Sequence, residues 1–279
     1  GVVTLSRRYS QAGAAGTALT TVSGITASSW TAGAANARAY YDDVGEIEIR
    51  AEGSFLGGTI NGRSGYAGRF AADRFDIQTV SGYGTLAHGH GTCSYTYRGE
   101  SFGYLLPPRV TVTAKTSRGV TAASYAGSYW KLPSVPVTAL ATAETSGATL
   151  ERTAPSSAYV YSGISNGAGT LILSGDTYVI PKRNLVFTQS AGDEVLSPSI
   201  QITLSAASLT ESTGAGDTAC YRGNSASCQP YALTIPVTGT AVRDGCLQLT
   251  SASTVGKNPV TVPVSVVYFT GGRYITNNI

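Results

Sequence analysis

The chain has 279 residues, a formal net charge of +3 and only 13% charged residues. So weak and scattered a charge excludes a nucleic-acid reader, which needs a basic face or stripe. No apolar run approaches the roughly 20 residues of a membrane-spanning helix, and the length suits one large β domain or two to three small ones.

Methionine is absent and the first residue is Gly1, so we expect a processed, exported chain. Residues 1–6, GVVTLS, are β-prone, with Val3 and Leu5 on one side and Val2, Thr4 and Ser6 on the other. A terminal strand of this kind can add to an open sheet edge of a neighbouring chain. Val2, Val3, Thr4 and Leu5 are therefore candidates for strand exchange, the alternative being an ordinary first strand of its own domain. The one candidate helix covers 32–40, and Gly33 weakens it. Asp42, Asp43 and Glu46 could offer oxygens to calcium, but their spacing matches no EF-hand loop, and an Asp-capped turn is the simpler reading.

Residues 46–51 alternate strictly. Ile47, Ile49 and Ala51 share one face and Glu46, Glu48 and Arg50 the other, which predicts a half-buried antiparallel strand. Asn61-Gly62 and Asn166-Gly167 are turn dipeptides that accept positive φ, and Gly57-Gly58, Gly192-Asp193 and Gly271-Gly272 read similarly. The stretch 69–75, RFAADRF, has no Gly or Pro turn and reads as an inter-domain connection. His88, His90 and Cys93 are the only clustered metal-capable side chains; a Gly-rich surface loop is the preferred reading, and no metal is expected there.

Tyr95, Tyr97 and Tyr104 cluster in the next strand. Exposed, they would contact a sugar or a protein; buried, they would pair across strands. Residues 109–116 place Val110, Val112 and Ala114 on one face. Tyr129 and Trp130 read as opposite faces of a strand, with one of them in a core. Further strands are expected at 75–80, 158–161, 170–173, 184–188, 199–205, 231–238 and 247–250. Val260, Val262, Val264, Val266 and Tyr268 share a face near the C-terminus. Pro236 and Pro263 fall inside such runs, which predicts edge strands or bulges there.

Four cysteines in an expected exported chain favour disulfides. Cys220 and Cys228 flank the polar loop YRGNSAS and form the expected close pair; Cys93 and Cys246 are left to pair with each other. The Gly-x-Ser-x-Gly spacing occurs at Gly163–Gly167, but a turn dipeptide and not a helical pattern follows the serine, so it does not read as a strand-to-helix nucleophile elbow, and nothing singles out two converging carboxylates. We therefore expect no enzyme, no catalytic residue and no cofactor.

Three blocks, taken in order, resemble the MSHA-type pilus biogenesis protein Q (MshQ-like) family. The first is Tyr41-Asp42-Asp43-Val44-Gly45-Glu46-Ile47 followed by Gly68-Arg69-Phe70-Ala71-Ala72-Asp73-Arg74-Phe75, with Ala72 where the family has proline. The second is Thr96-Tyr97-Arg98-Gly99-Glu100-Ser101-Phe102, then Val110 to Ala114, Tyr125-Ala126-Gly127 and Trp130-Lys131-Leu132. The third is Gly245-Cys246-Leu247-Gln248-Leu249, then Pro263-Val264, Tyr268-Phe269 and Ile275-Thr276-Asn277. The resemblance implies a surface or pilus-associated β-rich protein with no known catalytic site.

The expected architecture is all-β, with immunoglobulin-like sandwiches over 1–73, 74–190 and 191–279. The expected role is a secreted structural or adhesive component of a cell-surface appendage, self-associating or joined to other pilus or surface proteins. The alternative is an extracellular carbohydrate-binding module that holds a glycan with surface tyrosines.

Overall fold

The computed structural model describes residues 3–10, 19–23, 25–26, 29–89, 94–182, 195–211, 218–235, 240–256 and 259–277. Val2, His90, Cys93, Gly192-Asp193, Pro236 and the expected 184–188 strand lie outside them. The fold is all-β, and among the described residues the only helical segments are short 3-10 turns.

The N-terminal sheet has the order Val3–Ser10, Gly45–Phe55, Gly58–Phe70. The first strand pairs antiparallel inside its own chain, with Val3 opposite Gly53 and Leu5 opposite Ala51. This corrects the strand-exchange expectation for Val3, Thr4 and Leu5. Pairing in cis costs none of the translational and rotational freedom that a second chain would lose. The following hairpin turns at Leu56 and Gly57, both at positive φ (49° and 78°), as a two-residue turn requires. That turn sets the register, so Asn61-Gly62 is no turn; it sits in mid-strand opposite Glu52 and Ala51. The expected 32–40 helix is also absent. Thr31 and Ala34 bridge around Ala32 and Gly33 at positive φ, and Arg38–Tyr41 is a strand paired with Leu19–Ser23.

The central sheet has five strands in the order Tyr161–Ser165, Ala168–Ile172, Arg109–Lys115, Arg74–Thr79, Cys220–Tyr221. Val110, Val112 and Ala114 are buried on the face that their alternation predicts. Tyr129 ends a 3-10 turn, Gly127–Tyr129, and not a strand. Trp130 then packs between Tyr125 and Tyr161, each ring centroid 5.2 Å away. Its indole covers Gly169, where a Cβ would come within 2.6 Å of it.

One apolar cluster runs from Val44 to Val242 and is continuous across the expected divisions at 73/74 and 190/191. Ala72 and Phe75, from the stretch 69–75, are part of it. A second sheet, Leu140–Glu144, Ile200–Leu204, Tyr231–Ile235, joins segments on both sides of 190/191. Its middle strand buries Ile200, Ile202 and Leu204, as the sequence pattern predicts.

The C-terminal sheet has the order Gly245–Leu249, Val264–Thr270, Arg273–Thr276. Gly271 and Gly272, at φ 59° and 74°, make its second turn. Pro263 directly precedes the central strand of this sheet, so the edge-strand expectation fails there; a proline before the first ladder residue removes no ladder bond. Val267 and Phe269 are buried, while Val264 and Val266 stand on the open face.

Cys220 and Cys228 are bonded. Cys246 carries a free thiol, and Cys93, its expected partner, lies outside the described residues. The closed loop bears Arg222, and Gln229 N–H donates to the Tyr221 carbonyl at 2.8 Å across its base. Replacing both bonded cysteines with alanine should lower stability by about 2–3 kcal/mol in the loop-entropy model. Denaturant titration of the double variant beside the reduced parent measures this. An unchanged midpoint in the double variant would remove the bridge from the stabilising interactions.

Candidate functional site

The Asp pair is a structural tie. Asp43 accepts hydrogen bonds from the Val44 and Ser124 N–H groups at 2.9 and 2.8 Å and from the Ser124 hydroxyl at 2.8 Å. Asp42 pairs with Arg118 at 2.9 Å. These bonds fasten the turn before the Gly45–Phe55 strand to the segment that follows the Arg109–Lys115 strand. Among the described residues no three His, Cys, Asp or Glu side chains group as metal ligands. The Asp-capped turn is the reading that the hydrogen bonds support.

Beside this tie lies a cavity of about 350 Å³ lined by Tyr41, Asp43, Phe70, Asp73, Thr116 and Arg222, among others. They arrive from four segments of the chain. Tyr41 ends the Arg38–Tyr41 strand, and Phe70 ends the long hairpin strand. Asp73 precedes the Arg74–Thr79 strand, Thr116 follows the Arg109–Lys115 strand, and Arg222 comes from the disulfide loop. The Tyr41 and Phe70 rings meet edge to face at 5.0 Å. Asp73 lies between two guanidinium groups, Arg74 and Arg222, each at 3.5 Å. Charge-assisted bonds close to about 2.8 Å, so this carboxylate and Arg222 retain bonding capacity. The Tyr41 and Thr116 hydroxyls are buried without a hydrogen-bond partner, a condition that costs roughly 1–3 kcal/mol each. Groups of this kind concentrate at functional sites.

The three tyrosines expected as a contact surface are packed inward. Tyr95 is buried, its ring edge-on to Tyr97 at 5.3 Å, with the Arg243 guanidinium 4.0 Å from its ring centre. The Asn277 amide donates to both the Tyr95 and Tyr97 hydroxyls. Tyr104 is hydrogen-bonded to Tyr178, and burial followed by the Tyr178 hydroxyl pushes its ionisation well above the usual tyrosine range. Side chains from distant segments contact all three. Among the described residues the exposed aromatic rings are instead Trp30, Tyr40, Tyr66 and Tyr274. His88 is half-buried.

Two further buried groups escaped sequence reasoning. Glu211 accepts from the Tyr125 hydroxyl at 2.6 Å, and burial raises its pKa against the lowering effect of that bond and of Arg69 and Lys131. With a raised folded pKa, the native state holds the proton longer than the unfolded chain. This contribution is full below the ordinary carboxyl range and is lost as pH rises through the folded pKa. Glu211→Gln should therefore flatten the stability profile above the ordinary carboxyl range and raise stability at neutral pH. Thermal melts from pH 4 to pH 8 check it; parallel profiles for parent and variant would refute it. Glu144 shows the opposite sign. Burial opposes its ionisation, but bonds from the Ser146 hydroxyl and the Ser199, Ala148 and Ser146 N–H groups outweigh that and lower its pKa.

The cavity residues were not legible as a set. Arg222 had a local signal, its place in a short cysteine-closed loop; Asp73 and Thr116 had none. No curated protein and no solved structure matches the chain. A family described as DUF6701, third domain, matches residues 43–234, a span that includes every cavity residue named above except Tyr41. The chain belongs to the DUF6701 family, as a member of its third-domain group.

Proposed function

We propose that this chain is an exported structural or adhesive component of a cell-surface appendage, built on immunoglobulin-like packing and related to MshQ-like pilus proteins. The observation that carries this reading is the open edge of the N-terminal sheet. Gly58–Phe70 is thirteen residues long, pairs only with Gly45–Phe55 among the described residues, and is exposed over nearly its whole length. Its regular part, residues 58–63, contains no proline and one charge, Arg63. Natural edges are usually blunted by charge, proline or cover, and an edge left open accepts a strand from another chain. The disulfide supports an oxidising compartment. Fractionation of native cells and immunogold microscopy test the reading, with Ile60→Lys as the edge variant. Label on surface filaments, lost in the variant, is expected; protein confined to the cytoplasm would overturn it.

A second reading, an extracellular glycan-binding module, is favoured by the polar cavity. Tyr41, Phe70, Asp73 and Arg222 combine aromatic rings with hydrogen-bonding groups of both kinds, a mixture suited to a sugar's apolar and hydroxyl faces. A glycan array probed with the parent and with Asp73→Ala tests it. Signal from the parent that is lost in the variant supports it; an array blank at high protein concentration rules it out.

A further inference from the structure

The C-terminal sheet presents an apolar surface that the rest of the described chain leaves open. Leu247 and Leu249 are 70% and 67% exposed, Val264 58% and Val266 39%. The antiparallel register sets Leu247 opposite Val266 and Leu249 opposite Val264. The four side chains therefore form one block on one face and are not scattered. Val260 and Val262, also exposed, continue it along the chain.

The opposite face is filled by Val267 and Phe269, which are buried. One end of the open face is anchored to the body of the protein. The Tyr97 ring covers Gly245, where a Cβ would meet it at 2.5 Å. Arg243 lies between the Tyr95 and Tyr268 rings at 4.0 and 4.1 Å. The sheet is thus held at its Gly245 end and open at its Leu249 end.

A sheet with one filled face and one bare apolar face is half of a second sandwich layer, since sheets pack face to face through such surfaces. We propose that this face packs against the same face of a second copy of the chain. Three features favour a second copy. Complete burial of these six residues in two copies would remove on the order of 1,000 Å² of accessible surface, the lower limit for a specific interface. None of the six is charged, so no like charges meet within the patch; Arg98 and Lys182 stand at its Gly245 end. A twofold axis running along the strands, between the leucine row and the valine row, sets each larger Leu row over the partner's smaller Val row. Large residues then face small ones, as interdigitated layers require, and the contact closes as a dimer. This pairing is independent of where the protein is displayed, so it stands or falls apart from the function proposed above.

Sedimentation velocity of the purified full chain, up to about 100 µM, tests the proposal. The parent is expected to be a dimer. Leu249→Glu and Val264→Glu, each at an exposed position, should weaken dimerisation at least about tenfold with an unchanged thermal midpoint. Leu56→Glu, at an apolar residue that is 91% exposed on a different sheet, should leave the dimer intact. A parent that is monomeric throughout overturns the proposal, including a monomer that floats with lipid vesicles. So does an oligomer that survives both face variants and is lost on Ile60→Lys, which would assign association to the open edge of the N-terminal sheet.

Discussion

Asp176→Ala is expected to destabilise the protein by about 3–5 kcal/mol, the usual cost of removing one partner of a buried ion pair. Asp176 is almost fully buried, and the Arg152 guanidinium reaches it at 2.7 Å. Arg152 also donates to the Val137 and Leu140 carbonyls at 3.1 and 3.2 Å and to the Tyr159 hydroxyl at 2.8 Å. Tyr159 in turn donates to the second Asp176 oxygen at 2.7 Å. Arg152, the Tyr159 hydroxyl and two backbone carbonyls are therefore joined with this carboxylate in one network. Removing it leaves a largely buried cation without its counter-charge and the Tyr159 hydroxyl without its acceptor.

For a chain of this length the change corresponds to a fall in melting temperature of roughly 10 °C. Calorimetry of the variant measures it. Asp176→Asn should recover only a small part of the loss, because an amide keeps an acceptor but not the charge. A loss below about 1 kcal/mol would mean that Arg152 finds water or another acceptor, and the network would then have no special weight.

Gly167→Ala is expected to cost about 2–4 kcal/mol, from backbone strain and overpacking together. Asn166 and Gly167 turn the chain at φ 49° and 77° between the Tyr161–Ser165 and Ala168–Ile172 strands. An L side chain at the second position is strained in itself. A Cβ there would also lie 2.4 Å from the Ala122 carbonyl oxygen. That obstacle is main chain, and it cannot swing aside. The Gly167 carbonyl meanwhile accepts from Ala114 N–H at 2.8 Å, tying the turn to the central strand.

Gly57 provides the internal control. It has nearly the same φ, 78°, but nothing lies within 4 Å of its added Cβ. Gly57→Ala should cost only the strain, about 1 kcal/mol. Urea titrations of both variants separate the two effects, and equal losses would show that the contact with Ala122 adds nothing.

The same two turns show how far the sequence reaches. Asn166-Gly167 and Asn61-Gly62 are alike as dipeptides, and each permits positive φ. Only the first turns, because Leu56-Gly57 starts the earlier hairpin five residues sooner and carries Asn61 into the ladder. The alternations at 46–51, 109–116 and 199–205 were legible as strands, because a period of two is a property of neighbouring residues. The Cys220–Cys228 pair was legible for a similar reason: closing so short a loop costs little chain entropy.

Which face of a strand is covered was decided elsewhere. Tyr95 and Tyr97 share a strand face as a surface platform would, with Tyr104 close by in sequence, yet Asn277, Arg243 and Tyr178 contact them from segments far along the chain. Val264 and Val266 alternate as a core would, yet they stand open because Val267 and Phe269 fill the inner face. The cavity is the extreme case, since Tyr41, Asp73, Thr116 and Arg222 are joined only by long-range packing. Turn geometry, strand period and short-loop closure depend on local sterics, and the sequence by itself determined them. Burial, partnership and the cavity depend on which distant surfaces meet, and only the tertiary structure decided those.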